Sequence, residues 1–122
     1  MSGNFVTRFA SQGMLNAPWG IAVAPSGFGS IAGDVLIGNF GDGTINVFTP
    51  SGSLATVVGQ LMVSNGGTLA IPGLWSLMFG NDDPDKPLTT LFYTAGFANQ
   101  TDGVFGSIAV SSTGMSAPAN PY

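Results

Sequence analysis

The chain contains no cysteine and no histidine, and its only basic residues are Arg8 and Lys86. Each absence removes a class of chemistry. Without cysteine there is no disulfide within the chain and no zinc site of the Cys/His kind. Without histidine or a thiol, the usual general base and the most nucleophilic side chain at neutral pH are both missing, which excludes Ser-His-Asp and Cys-His catalysis. Lys86 lies among aspartates, so a Ser-Lys pair has no support either. Two cations in 122 residues make no basic patch for a phosphate backbone or an anionic membrane, and no nucleic-acid partner is expected. Missing cysteine does not locate the protein, because reducing and oxidising compartments both hold such chains.

Acidic residues are also few. All six are aspartates (Asp34, Asp42, Asp82, Asp83, Asp85 and Asp102), giving a net charge of −4. Charged residues make up 7% of the chain, against about 25% in an average globular protein. Exposed Ser, Thr, Asn and Gly must therefore hydrate the surface, or other chains must cover part of it. Met1 to Ala10 lack the positive cluster and apolar run of a signal peptide. The uncharged interval from Asp42 to Asp82 is broken by Pro50, Pro72 and many polar residues, so no membrane span is expected.

What is present points to short strands. Hydrophobic residues reach 44%, and 19 glycines and 8 prolines are spread along the chain rather than gathered in one tract. That mixture predicts frequent turns between apolar strands and no long helix.

The sequence also repeats. Leu15-Asn16-Ala17-Pro18-Trp19-Gly20-Ile21-Ala22-Val23 matches Ile71-Pro72-Gly73-Leu74-Trp75-Ser76-Leu77-Met78-Phe79, with Trp19 and Trp75 56 residues apart. Val35 to Phe40 and Thr44 to Phe48 find counterparts in Leu91 to Gly96 and Val104 to Ile108. Period-two alternation puts Trp19, Ile21 and Val23 on one face of a strand, and Trp75, Leu77 and Phe79 on one face of another. These strands are apolar or small on both faces, as in sheets sandwiched between neighbours. Packing between sheets is therefore favoured over a carbohydrate platform for the tryptophans. Gly41-Asp42-Gly43 and Asp102-Gly103 are expected as tight hairpin turns.

The spacing is close to that of propeller repeats. It predicts an all-β fold: a partial β-propeller of about two four-stranded antiparallel blades, one complete and one lacking its outer strand. Residues 1–14 would carry a strand of a preceding blade (Phe5 to Phe9), 15–63 a complete blade, 64–110 a second, incomplete blade, and 111–122 a tail.

Leu15 to Val23, Asp34 to Asn39 and Ile45 to Phe48 resemble an NHL-type propeller repeat. More narrowly, Gly38 to Asn46, Gly73-Leu74-Trp75, Phe92 to Gly96 and Gly103 to Ile108 resemble a family of uncharacterised bacterial propeller proteins, many of them secreted. The resemblance covers most of residues 5–110 and matches the C-terminal part of that family. It implies an extracellular or cell-surface location and a chain of about six blades, but no activity. The spare strand at one end and the missing one at the other then have two explanations. Either the chain is a truncated product with no independent function, or several copies close a ring, Phe5 to Phe9 of one completing the open blade of the next.

Two groups of residues are candidate metal ligands. Asn81, Asp82, Asp83 and Asp85 cluster oxygen ligands suited to calcium. They lack the ordered spacing and bidentate Glu of an EF-hand, and a solvated connection between strands is favoured. Related propellers with lactonase activity hold a metal at the channel mouth, where Asn39, Asn46, Asp42 and Asp102 are this chain's candidates. Asp42 and Asp102 also suit turns for backbone reasons alone, and that reading is favoured. Gly27 to Gly33 has its glycines misplaced for a dinucleotide loop, and Asn99-Gln100-Thr101 fits a glycosylation acceptor. The leading expectation is a non-catalytic propeller segment acting as a binding or structural module. Its partners would be copies of itself or the remaining blades of a longer chain. The competing one is a metal-dependent, lactonase-like hydrolase or lyase.

Overall fold

The computed structural model describes residues 2–111 and 114–116. Among them there is no α-helix, and the strands form two separate antiparallel sheets in sequence order. The first holds β1 (Pro18–Val23), β2 (Val35–Asn39), β3 (Ile45–Ser51) and β4 (Leu54–Gln60). The second holds β5 (Leu74–Phe79), β6 (Thr90–Phe97), β7 (Asp102–Ser111) and β8 (Gly114–Ser116). Neither sheet closes on itself.

Three expectations need correction. Phe5 to Phe9 form no strand; Phe5 and Val6 are exposed, while Thr7 Oγ1 donates to the Ser53 carbonyl at 3.1 Å and Phe9 packs edge-on against Phe48. A strand needs a partner edge, and this segment lies on the first sheet instead of along its edge. The second sheet also does not stop at its third strand: Gly114–Ser116 extends it along β7. Three residues are too short for a period-two signal. The rest of the expected tail, 117–122, lies outside the described residues.

The third correction concerns turns. Asp102-Gly103 is the start of β7, paired with Phe97 and Gly96. The turn before it is Ala98 to Thr101, with Ala98, Asn99 and Gln100 all at positive φ. Pairing of Val104 with Ala95 and Phe105 with Thr94 carries the hairpin past the Asp-Gly pair. The β2–β3 turn does include Asp42, and Gly43 there takes a φ of +74°. That conformation suits glycine.

The repeat is visible in backbone detail. Both β1 and β5 shift register at the tryptophan, between Pro18 and Gly20 and between Leu74 and Ser76. Ala17 and Gly73, one residue before each of those strands, both have positive φ. Their carbonyls accept from equivalent amides, Phe40 N and Gly96 N, both at 2.9 Å. The bulge places one extra residue opposite the partner strand. It lifts Trp19 and Trp75 out of the alternation that sequence periodicity assigned them.

Paired residues of neighbouring strands share a face, so the register defines how the sheets stack. The first sheet meets the second through β1 and β2 packed on β5; Gly20, Ala22, Leu36 and Gly38 face across, with Ile45 and Val47 on the same face. The second answers with Leu74, Leu77, Phe79, Leu91, Tyr93 and Ile108. These residues form the core, joined by Leu61, Leu69 and Ile71 from the connection between the sheets. Small residues let the backbones approach. A Cβ on Gly20 would lie 2.9 Å from the Trp75 carbonyl, and one on Gly38 would lie 2.8 Å from Leu74 Cδ2. The 27–33 loop closes one side of the core, with fully buried Phe28 edge-on to Phe79 at 4.8 Å.

Candidate functional site

The Asn39 group is built around a single carbonyl. Asn39 and Asn46 are fully buried, and both donate from Nδ2 to the Met14 carbonyl at 2.9 Å. Asn39 Oδ1 accepts from the Asn16 amide at 3.0 Å, and Asn46 Oδ1 accepts from Gln60 Nε2 at 3.0 Å. Asp42 Oδ1 accepts from the Thr44 amide and hydroxyl, and Asp42 Oδ2 from Asn16 Nδ2. Desolvation is the largest single influence on Asp42 and pushes its pKa up. The hydrogen bonds from Thr44, Asn16 and Asn39 together outweigh it and hold the carboxyl below its ordinary range. These side chains fasten the 14–17 segment to the β2–β3 turn. Asp102 belongs to the other sheet, exposed at the start of β7.

The acidic loop folds on itself. Asp83 Oδ2 accepts from Lys86 Nζ at 3.1 Å and from Asn81 Nδ2 at 2.9 Å. The backbones of Asp82 and Lys86 exchange further hydrogen bonds with this turn, and Asp82 has a φ of +71°. Asp82 and Asp85 are exposed. Among the described residues no three Asp side chains gather into a group able to hold a metal.

An aromatic rim joins the sheets at the bulges. Trp19 meets Trp75 edge to face at 4.8 Å, and Phe40 lies tilted against Trp75 at 4.7 Å. Trp75 Nε1 donates to Gln100 Oε1, and Gln100 Nε2 donates to the Gly96 carbonyl at 2.7 Å. Gln100 thus ties the left-handed 98–100 turn to the tryptophan. The Asn99 triplet lies on this exposed turn.

Each sheet keeps part of its other face open, β1 on the first and β5 with β6 on the second. On the first, Ile21 and Val23 are 65% and 61% exposed, and Trp19 at the rim is 65% exposed. On the second, Ser76, Met78, Phe92, Thr94 and Phe105 line a groove of about 340 Å³. Met78 and Phe105 there are 71% and 69% exposed, and the Phe92 and Phe105 rings stack at 5.5 Å. Ser76 and Thr94 hydroxyls bond each other at 2.7 Å. Sequence reasoning placed the β1 stripe between sheets and did not single out Met78, Phe105 or Gln100. The signal for the first two was their alternation with buried Leu77 and half-buried Gly106 along paired strands.

The chain is similar to two uncharacterised proteins of Acanthamoeba polyphaga mimivirus, at 37% and 38% identity over 108 residues. Those matches take in 88% of this chain but 27% and 25% of the viral proteins. A third uncharacterised protein of the same virus is 50% identical over 46 residues, 38% of this chain and 9% of that one. The chain thus spans about a quarter of the length of the first two curated relatives. No protein-family model matches it, and no solved structure matches it significantly.

Proposed function

We propose that this chain is a non-catalytic structural and binding module, two blades of a propeller-type stack whose open faces take further sheets of the same kind. One observation carries the reading. The open surfaces, β1 on the first sheet and β5 with β6 on the second, are the repeat equivalents of the strands already packed together. Pro18, Ile21 and Val23 correspond to Leu74, Leu77 and Phe79, and Ser76, Met78 and Thr94 correspond to Gly20, Ala22 and Gly38. Nearest-neighbour packing of this kind builds repeat proteins. The NHL-like pattern of Leu15 to Val23 supports the propeller form, and the secreted family it resembles supports a place outside the cell or on its surface.

A metal-dependent hydrolase or lyase would need Asn39, Asp42 and Asp102 at one centre with free oxygens. Asn39 and Asp42 instead hold the 14–17 segment. The test is a tandem: two copies of the chain in one polypeptide through a flexible linker. If open faces stack, the tandem unfolds at higher urea than the single chain. Equal midpoints would sink the reading.

A further inference from the structure

We infer that a second copy of this chain docks on the first head to tail, seating the Ile21–Val23 strand of one copy in the Met78–Phe92–Phe105 groove of the next. This rests on the stacking read above and adds the occupant. The interface inside the chain is made by β1 and β2 against β5. Its equivalents, the outer faces of β5 and β6 and of β1, are the surfaces left exposed. The N-terminal segment covers a different part of the first sheet, through Phe9 on Phe48 and the Met14 carbonyl on Asn46. It leaves the strand that stacks uncovered.

The side chains fit such a contact. In the packed pair Leu77 lies over Gly20 and Gly38, so Ile21 of a second copy would lie over Ser76 and Thr94. Those hydroxyls bond each other, so burial leaves one O–H of the pair, rather than two, to find an acceptor. Where the first sheet offers Gly20, Ala22 and Gly38, the second offers the larger Ser76, Met78 and Thr94, so the contact is a filled groove rather than close backbone approach. No charged side chain lies on the Ile21–Val23 strand, and Lys86 borders one end of the groove. Contacts between unlike faces propagate by rotation into a ring or a filament, and Trp75 of one copy would meet Trp19 of the next as the two meet within the chain.

Sedimentation velocity on the full chain and two variants tests this. Ile21→Glu blocks one face and Met78→Glu the other; both positions are exposed, so folding is retained. The wild type is expected at twice the monomer mass or more at about 100 µM, a concentration that detects even weak pairing. Each variant alone is expected as a monomer. An equal mixture is expected to form a one-to-one dimer and nothing larger, because one good face remains on each partner. A monomeric wild type overturns the inference, as does a variant that still self-associates or a mixture that stays monomeric. A stabilised tandem beside a monomeric wild type overturns self-association alone and leaves the stacking reading intact.

Discussion

Trp19 and Trp75 occupy equivalent bulges 56 residues apart and meet edge to face, ring planes at 82° and centroids 4.8 Å apart. Each ring leaves its strand's alternation because the bulge inserts it as an extra residue. The contact is thus a direct measure of how the two sheets sit together. Edge-to-face pairs contribute about 0.5–1.5 kcal/mol beyond area burial. Trp19→Ala, Trp75→Ala and the double variant are expected to show a coupling of about 1 kcal/mol in urea unfolding. Additive losses would mean the rings do not meet in solution. Trp75→Ala should be the more damaging single change, since Trp75 is half-buried and also bonds Gln100.

Close approach at Gly20 makes a second prediction. A side chain there meets the Trp75 carbonyl and Leu77, and overpacking typically costs about 1–3 kcal/mol. Gly20→Val should lower the urea midpoint clearly. Gly103→Ala, where a Cβ meets nothing within 4 Å, should leave it nearly unchanged. Similar midpoints for the two variants would contradict the packed arrangement.

The paired asparagines set a third. Asn39→Ala removes two donors and frees the Asn16 amide of its acceptor. The lost hydrogen bonds are part-buried, and each such bond contributes about 0.5–1.5 kcal/mol. Destabilisation of that order is expected, with faster hydrogen exchange at Asn16. An unchanged Asn16 exchange rate would show that Asn39 does not hold this segment.

Asp42 links stability to acid. Its folded pKa is lowered, because hydrogen bonds to the carboxylate outweigh desolvation. Its contribution is therefore present above the ordinary carboxylate pKa of about 3.9 and is lost as pH falls through the folded value. The group is exposed, so solvent screening keeps the effect small. Asp42→Asn should be slightly less stable than the wild type at pH 7 and flatter in melting temperature below about pH 4. Parallel curves for the two proteins would contradict the assignment.

Much of the strand layout was legible in the sequence. Alternation around Ile21 and Leu77, matching stretches in the two repeats and glycine- and proline-marked turns located six strands to within a few residues. The tryptophan spacing identified the unit of repetition. What escaped was whatever depends on tertiary placement. A bulge leaves no mark on composition, so Trp19 was assigned to the face of Ile21 and Val23. The Asp102-Gly103 pair has turn chemistry, yet cross-strand pairing of Val104 and Phe105 moved the turn onto Ala98 to Gln100. Asn39 and Asp42 have the donor types of a metal site, and only the Met14 carbonyl and Asn16 show how those donors are used. Which apolar face stays open cannot be read from a strand that is apolar or small on both sides.

Cysteine cross-linking shows whether the open surfaces repeat the packed one, and the absence of native cysteine makes it clean. Leu77 packs over Gly20 inside the chain, so the equivalent contact between copies pairs Ile21 with Ser76. A chain carrying Ile21→Cys and Ser76→Cys, oxidised gently, should give a ladder of dimers and larger species on non-reducing gels. Disulfides require Cβ atoms about 3.5–4.5 Å apart, so a control with Val58→Cys in place of Ile21→Cys should not. A ladder is expected for the first pair alone. No ladder, or equal ladders from both pairs, would contradict the stacking.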